Sequence, residues 1–166
     1  ACLDYATIFN NLSEISPNVF NSFNWTFGDG STDTAYTPIH EFDQDTIFLV
    51  TLSIWSDSSF CGDTITKPIL IRPRPTASFY NFEPDSCIPH EVHFINESSY
   101  KDSSTIVSYA WNFGNDDLDS IAIPTYTYLQ PGIFSPSLIL TDTFGCQDSI
   151  KYENLIRVAN IPTADF

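Results

Sequence analysis

The chain has 166 residues, enough for one domain or for two small ones. It carries 21 acidic residues and only 6 Lys and Arg, so its formal net charge is -15 at pH 7. Nucleic acids and anionic membrane surfaces bind proteins of the opposite charge, which excludes both as electrostatic partners. We expect no membrane insertion, because no apolar run is long enough to span a bilayer. No signal peptide is visible, and we expect a mature piece of a longer protein.

The composition is typical of an all-β protein. Aromatic residues make up 15% of the chain, and it contains 11 prolines. Short apolar stretches are separated by Ser, Thr, Asn, Asp and Pro, and few stretches show helical periodicity. Such a pattern predicts many short strands joined by turns.

One predicted strand has aromatic residues at every second position. Phe23, Trp25 and Phe27 would share one face, because successive side chains of a strand point to opposite faces. Gly28 follows at once, where a tight turn needs a positive φ or a close backbone approach. The same pattern returns at residues 109–114. We therefore expect each copy of this strand to be half-buried, with the rest of its unit packed around the tryptophan.

The rest of the chain repeats in the same way, with a period of about 85 residues. We therefore predict one unit at residues 1–73 that lacks its first strand, a second at 74–161, and the opening strand of a third at 162–166. The matches pair Cys2 with Cys87, Ile8-Phe9-Asn10 with Phe94-Ile95-Asn96, Trp25 with Trp111, Pro38 with Pro124, Phe48–Ile54 with Phe134–Leu140, Cys61 with Cys146, and Pro75–Phe79 with Pro162–Phe166.

Six or seven short strands per unit fit an immunoglobulin-like sandwich. Pro136 falls at a core-facing position of its strand, which indicates an edge or a bulge. The alternating prolines of residues 72–75 should stiffen the joint between units and favour an extended rod. In the second unit the predicted strands are Ala77–Phe82, Glu91–Asn96, Val107–Phe113, Phe134–Thr141 and Ser149–Val158, with an extended stretch at Ile121–Tyr128 that Pro124 interrupts.

The stretch Trp25-Thr26-Phe27-Gly28-Asp29-Gly30-Ser31 resembles the W-x-F-G-D-G-S signature of PKD domains. Only Thr26 departs, where that family usually has Asp. The second copy, residues 111–117, keeps Trp, Phe and Gly but lacks the second Gly, so we expect its turn to be built differently. The resemblance implies two tandem immunoglobulin-like β-sandwiches, each with two sheets packed face to face.

Four cysteines allow three pairings. Repeat symmetry favours Cys2–Cys61 and Cys87–Cys146, each of which would tie the start of a unit to the hairpin before its last strand. Closing a loop of this length contributes roughly 4 kcal/mol in the chain-entropy model. The alternative is four buried thiols.

No catalytic residue is predicted, because the chain has no G-x-S-x-G elbow, P-loop or H-E-x-x-H motif. His40 occupies the position of Tyr126 in the second repeat, which favours a core or turn role. His90 and His93 are three residues apart on one predicted strand, so their side chains would face opposite sides and would not easily share a metal. We therefore expect no enzyme activity and no cofactor other than calcium.

The best metal candidate is a weak calcium site at Asp29 and Asp33, in the turn after the aromatic strand. Carboxylate, hydroxyl and backbone oxygens at this spacing can bind Ca²⁺, and the resemblance to PKD-like modules of secreted collagenases supports the site. The simpler interpretation is a solvated turn in which Asp29 accepts backbone N–H groups.

A second recurring pattern is Asp, then Ser or Thr, then a small aliphatic residue. It resembles the O-glycosylation sequon of Bacteroidetes-type secreted proteins. An Asp that ends a turn before a strand explains the same pattern equally well. Sugar attachment requires solvent-facing hydroxyls at Thr34, Thr46, Thr64, Ser120 and Ser149.

The chain is similar to the PKD arrays of bacterial surface proteins, especially gliding adhesins exported by type 9 secretion. This resemblance implies an extracellular structural and adhesive repeat that forms a stalk or fibre. Its implied partners are neighbouring repeats, laterally associated chains, and surface polysaccharide or glycan. The alternative is an accessory module of a secreted hydrolase that binds polysaccharide or protein, with Trp55 stacking on a sugar ring. Otherwise Trp55 covers the end of its own core.

Overall fold

The computed structural model describes residues 1–14, 21–56, 61–83, 85–101 and 104–166, and every regular element in these ranges is a β-strand. The chain divides into two compact units, unit 1 at Ala1–Pro73 and unit 2 at Arg74–Phe166. The all-β class expected from composition is confirmed. Within the described ranges there is no helix that is long and apolar enough to cross a membrane.

The described residues of unit 1 form six strands in two sheets. A four-stranded sheet has the order β3-β2-β5-β6, and a two-stranded sheet pairs β1 with β4. The pairings between these strands are antiparallel. Its core is built largely from aromatic rings. The strands are β1 (Thr7–Ile8), β2 (Asn21–Thr26), β3 (Thr32–Asp33), β4 (Ile39–His40), β5 (Ile47–Ser56) and β6 (Gly62–Leu70).

In the part of unit 2 that the structure describes there are ten strands in three sheets, with the orders β11-β10-β14-β15, β12-β9-β7 and β13-β16-β8. The pairings are antiparallel except for that of β16 with β8, which is parallel. The strands are β7 (Phe79–Asn81), β8 (Ser86–Cys87), β9 (His90–Asn96), β10 (Ile106–Asn112), β11 (Leu118–Asp119), β12 (Thr125–Tyr128), β13 (Gly132–Phe134), β14 (Ser137–Asp142), β15 (Gln147–Lys151) and β16 (Ile156–Ala159).

The aromatic strand is an inner strand of the four-stranded sheet of each unit, as β2 and as β10. Trp25 pairs with Leu52 of β5, and Trp111 pairs with Leu138 of β14. Both indoles are buried, with 6% and 0% of their surface exposed. Each indole Nε1–H donates to a backbone carbonyl ten residues on, 3.1 Å away in unit 1 and 2.9 Å away in unit 2. The tryptophan therefore fixes both the core and the loop that passes beside it.

The turn after this strand has the same form in both units. Gly28 and Gly114 have φ of 84° and 88°, and an added Cβ would come within 2.8 Å of the Leu49 carbonyl or 2.5 Å of the Ser135 nitrogen. The next left-handed position is Gly30 in unit 1, and in unit 2 it is Asp116, with φ of 68°. The prediction of a different turn is therefore wrong, since Asp is among the residues that tolerate this conformation.

Pro136 marks a change of sheet. The predicted strand Phe134–Thr141 is two strands, because β13 pairs with β16 while β14 pairs with β10. The predicted strand Ser149–Val158 is divided in the same way, into β15 and β16. A proline has no N–H for the ladder, so the pairing is interrupted where Pro136 lies. The suspected irregularity is confirmed, and the unbroken strand ranges are wrong.

The structure also shifts the repeat alignment by one residue near the start. The N–H groups of Phe9 and Phe94 donate to the carbonyls of Pro38 and Pro124, at 2.9 and 3.0 Å. Phe9 is therefore the counterpart of Phe94, and the match of Ile8-Phe9-Asn10 with Phe94-Ile95-Asn96 is wrong. A shift of one residue exchanges the two faces of a strand, and packing of the phenylalanine ring against the core selects the true register.

Leu138→Ala tests the tryptophan-centred core of unit 2. Leu138 is fully buried and pairs with Trp111, so the truncation should lower the unfolding free energy of unit 2 by about 2–5 kcal/mol. The measurement is a urea titration followed by the amide NMR resonances of unit 2. Leu118→Ala is the control, since Leu118 is 74% exposed and should cost little. Equal effects of the two substitutions would contradict this core.

Candidate functional site

The calcium candidate Asp29 lies in a closed set of hydrogen bonds. Its Oδ1 accepts from the N–H and the hydroxyl of Ser31, at 2.9 and 2.5 Å. Its Oδ2 lies 2.6 Å from Nε2 of His40, and both side chains are 17% exposed. The His40 ring stacks on Phe27 with centroids 4.0 Å apart. The turn is thereby fastened to the hydrophobic core through one imidazole.

Unit 2 builds the equivalent contact with different residues. Tyr126 stacks on Phe113 with centroids 4.2 Å apart, as His40 does on Phe27. Its hydroxyl donates to Asp117 and accepts from Asn115 Nδ2 at 2.7 Å. A phenol and an imidazole thus perform the same task, which is to connect the polar turn with the aromatic core.

These contacts set the ionisation of Asp29. Partial burial raises the pKa of its carboxyl, but the hydrogen bonds from Ser31 and the contact with His40 outweigh it and lower the pKa from 3.8 to about 2. The folded state therefore favours the carboxylate. The carboxylate is held by groups of the protein itself, in the way that a turn-capping Asp is held.

Asp33, the second calcium candidate, accepts from the N–H of Ala35 at 2.8 Å. The structure does not bring Asp29 and Asp33 into a group of three or more His, Cys, Asp or Glu residues that would suit a metal, within the described residues. To bind Ca²⁺, both carboxylates would exchange their present hydrogen bonds for the ion. The calcium site stays a prediction of the sequence.

All five hydroxyl residues of the proposed sequons are exposed: Thr34, Thr46, Thr64, Ser120 and Ser149. Several of the preceding aspartates also cap turns. Asp63 accepts from the N–H of Thr64 at 2.8 Å, and Asp119 accepts from the N–H of Ser120 at 2.6 Å. Exposure satisfies what glycosylation requires, and the caps are what the turn interpretation requires, so both interpretations remain.

Asp148 has a role that the sequence did not reveal. Its Oδ2 accepts from the N–H of Ala77 at 2.8 Å, and its Oδ1 accepts from Arg74 at 2.9 Å. Asp148 therefore fastens the opening segment of unit 2 to β15. Its counterpart in unit 1 is Asp63, since Asp63 pairs with Ile54 and Asp148 pairs with Leu140. The sequence feature that could have indicated this role is an Asp two residues after a cysteine in both repeats.

Trp55 lies on the outer face of β5. Burial alternates along this strand, and Trp55 shares the exposed side with Ile47 and Leu49. It is 44% exposed and is not part of the core cluster of unit 1. The ring lies over Gly62 of β6, where an added Cβ would be 2.6 Å from its Cδ1. The interpretation that Trp55 covers the end of its core is therefore wrong.

A family model described as a PKD domain matches residues 4–71 and again residues 72–158. The chain belongs to the PKD-domain family. The expected resemblance is confirmed, and so is the tandem arrangement of two such domains.

Relatives from two Vibrio species match about one repeat's length of this chain. The pre-pro-metalloprotease PrtV of Vibrio cholerae serotype O1 is 41% identical over 63 residues, which are 38% of this chain and 6% of that protein. The crystallised PKD1 domain of PrtV is 31% identical, with a TM-score of 0.45, and the match covers 51% of this chain and 98% of that one. The PKD1 domain of Vibrio anguillarum Epp is 28% identical, with a TM-score of 0.45 and coverage of 52% and 96%.

The cysteines of the two PKD units do not follow the predicted symmetry. Cys2 and Cys146 are disulfide-bonded, whereas Cys61 and Cys87 are thiols. The predicted bonds Cys2–Cys61 and Cys87–Cys146 need all four cysteines as disulfides, so that pairing is wrong.

The strand geometry explains why the symmetric pairing fails. Cys2 forms a parallel bridge with Arg72, just beyond the end of β6, while Cys61 immediately precedes β6. The nine residues of β6 span about 30 Å at the usual rise, and a disulfide needs Cα atoms closer than about 7 Å. In unit 2, Cys87 pairs with Ala159 at the end of β16, and Cys146 precedes β15.

His90 and His93 of β9 do not lie together as a pair that could bind a metal. His90 is 6% exposed, while His93 is exposed and its Nδ1 lies 2.6 Å from Oε1 of Glu83. The structure thus places the two rings of β9 in different surroundings.

Alkylation of the unreduced protein tests the assignment of the cysteines. We expect a maleimide to label the exposed Cys61 fastest and Cys87 more slowly, since Cys87 is half-buried. Cys2 and Cys146 should react only after reduction. The measurement is peptide mapping by mass spectrometry. Label on Cys2 or Cys146 before reduction would contradict the assignment.

Asp29→Asn tests the coupling between the turn and the core. A carboxyl whose pKa is lowered on folding stabilises the fold above its unfolded pKa of about 3.8 and loses that effect as the pH falls through about 2. The variant should therefore unfold at a lower temperature than the parent at pH 6, and the difference should shrink toward pH 2. The measurement is thermal unfolding across this pH range.

Asp43→Asn is the matched control, because Asp43 is exposed and lies outside the turn. It should leave the unfolding temperature of unit 1 nearly unchanged at pH 6. A pH-independent loss in Asp29→Asn would show that the amide disturbs the turn for a reason other than charge.

Proposed function

We propose that this chain is a structural and adhesive repeat segment of a long extracellular surface protein, in which PKD units form a stalk or fibre. The supporting observation is that two PKD matches follow each other directly, at residues 4–71 and 72–158. Each unit also has a hydrophobic core of its own. Modules that are repeated in series, each with its own core, are suited to an extended protein such as a stalk or fibre.

The charge and surface of the chain support the same proposal. A formal charge of -15 favours solubility and limits non-specific association. Glycosylation at Thr34, Thr46, Thr64, Ser120 and Ser149 would add hydration and protease resistance. A mass above 18.7 kDa for the segment isolated from its native host would be the sign of attached sugar. A bare mass would remove this part of the proposal.

An oxidising location agrees with the disulfide-bonded cysteines, because disulfides persist mainly outside the cytosol. Together with the proposed sequons, this supports a cell-surface or extracellular protein, with export by type 9 secretion and use as a gliding adhesin as the specific case. In that setting the partners would be neighbouring repeats, laterally associated chains and surface glycans.

The second candidate is an accessory binding module of a secreted hydrolase. It is supported by the 41% identity over 63 residues with a pre-pro-metalloprotease. The half-exposed indole of Trp55 offers a flat apolar surface on which a sugar ring could stack. In this case the chain would hold a neighbouring catalytic domain at a polysaccharide or protein surface.

Immunogold electron microscopy of the source cells separates the two candidates, with antibody raised against this chain. Label along stalks or fibres at the cell surface is expected for the structural repeat. Label absent from cells and recovered in the medium, together with hydrolase activity, would contradict that proposal and favour the accessory module. A control antibody against a cytosolic protein should label neither fraction.

A further inference from the structure

The four-stranded sheet of unit 1 has an outer face without a charged side chain among the described residues. Burial alternates along β5, so Val50 and Leu52 point into the core and their neighbours point outward. Paired residues share a face, so the outer face consists of every second residue in 22–26, 47–55 and 62–70. The whole chain has a formal net charge of -15, so another copy meets less repulsion at this face than at a charged surface.

Hydroxyl groups fill the middle of the outer face and bond to one another. Oγ1 of Thr51 lies 2.8 Å from Oγ1 of Thr66, and Oγ1 of Thr64 donates to Oγ of Ser53 at 3.0 Å. Thr26 continues the row on the other side of Thr51. Burial of a hydroxyl is costly when the group is left without a hydrogen bond. Because these hydroxyls already bond within the face, the face can lose its water at a small cost.

Apolar side chains lie at the two ends of the outer face. At one end Trp55 is 44% exposed, and its ring lies over Gly62. At the other end Ile47 and Leu49 are 59% and 60% exposed, and Leu49 pairs with Pro68 of β6. Burial of both ends would remove apolar surface from water, which favours association.

The two ends match each other when two copies meet face to face. A two-fold axis across the strands at the level of Leu52 places β5 of one copy antiparallel to β5 of the other. Trp55 of one copy then lies over Leu49 of the second copy, and Ser53 lies over Thr51. The contact is made twice, because a two-fold interface uses the same surface of both copies. Aligned packing of two sheet faces is a common arrangement of β-sheets.

The corresponding face of unit 2 is charged. The counterpart of Thr66 is Lys151, because Thr66 pairs with Thr51 and Lys151 pairs with Ser137. Nζ of Lys151 lies 2.7 Å from Oε1 of Glu153. Burial of such an ion pair costs desolvation energy, so the arrangement favours unit 1 over unit 2 as the contact surface.

We propose that the outer face of unit 1 binds the same face of a second copy of this chain, with Trp55 packed on Leu49 of that copy. The inference rests on the proposed function in one respect, since it supplies the lateral contact between the chains of a stalk or fibre. Three strands that overlap over about 27 Å bury roughly 800 Å² in total, which is the size of a weak or transient interface. Weak contacts suffice where many repeats act together. A sugar on Thr64 would stand on this face and prevent the contact.

Sedimentation velocity of the whole 166-residue chain over a concentration series tests this contact. We expect an equilibrium between monomer and dimer that shifts toward the dimer as salt is added, because salt screens the repulsion between two chains of the same charge. Association that weakens with salt would depend on ion pairs and would overturn the proposal. The measurement concerns the contact alone, whereas immunogold labelling tests the location of the protein, so the two can fail separately.

Two substitutions should weaken the dimer. Trp55→Ala should do so at least about tenfold, because each dimer loses two buried indoles. Thr66→Lys should have a similar effect by burying a charge in the contact, and Lys151 shows that this strand position accepts a lysine. Ser149→Lys is the matched control, since it adds the same charge at an exposed strand position of unit 2. Thermal unfolding of both variants should stay close to that of the parent, because both side chains lie outside the core.

A double-mutant cycle tests the register of the contact. Trp55 and Leu49 are six residues apart on one strand, about 20 Å, so they cannot touch within one molecule. In the dimer they lie against each other, so Leu49→Ala should weaken association less in the Trp55→Ala background than in the parent. Additive effects of the two substitutions would overturn the proposed arrangement.

A chain that remains monomeric at every concentration overturns the proposal. So does association that Trp55→Ala and Thr66→Lys leave unchanged, because the contact would then lie on another surface. Binding of an N-acetylglucosamine hexamer to a monomeric chain, with a shift of the indole N–H resonance of Trp55, would assign the outer face to a glycan instead.

Discussion

The fold of each unit depends on one buried tryptophan. The indole is large enough to contact both sheets, and its single N–H must find an acceptor once it is out of water. In both units that acceptor is a carbonyl ten residues further on, so one side chain fixes the core and the path of the loop. The phenylalanine two residues later lies on the same face, and the glycine after it admits the neighbouring backbone.

The two units show which parts of this arrangement can vary. An imidazole stacks on Phe27 and a phenol stacks on Phe113, and both hold the acidic turn by a hydrogen bond. A glycine in one turn is an aspartate in the other, since both residues accept a left-handed backbone. What does not vary is the set of contacts to the core. The carboxylates of the polar turn therefore contribute to the fold by connecting the turn with the core.

Unit 2 shows how an opening strand completes the core. The strand β7 lies beside β9, and the ring of Phe79 packs against Trp111 with centroids 4.9 Å apart. The carboxylate of Asp148 holds the segment before this strand by accepting the N–H of Ala77.

The sequence by itself determined the strand class, the two repeats and the family. Each of these follows from local chemistry, namely the alternation of aromatic residues and the glycine that must follow them. The signature Trp25 to Ser31 was sufficient for the family, and Pro136 was sufficient to predict an interrupted strand.

Only the tertiary structure decided how distant parts meet. Repeat symmetry suggested disulfides within each unit, but Cys2 and Cys61 lie at opposite ends of β6. Their positions in the sequence do not reveal this distance. The alignment of Phe9 with Phe94 was established by the hydrogen bond that each N–H donates to a proline carbonyl. In the sequence alone, an alignment shifted by one residue is equally plausible. The role of Asp148 depends on which strand covers which edge, and that is a property of the packed sheets.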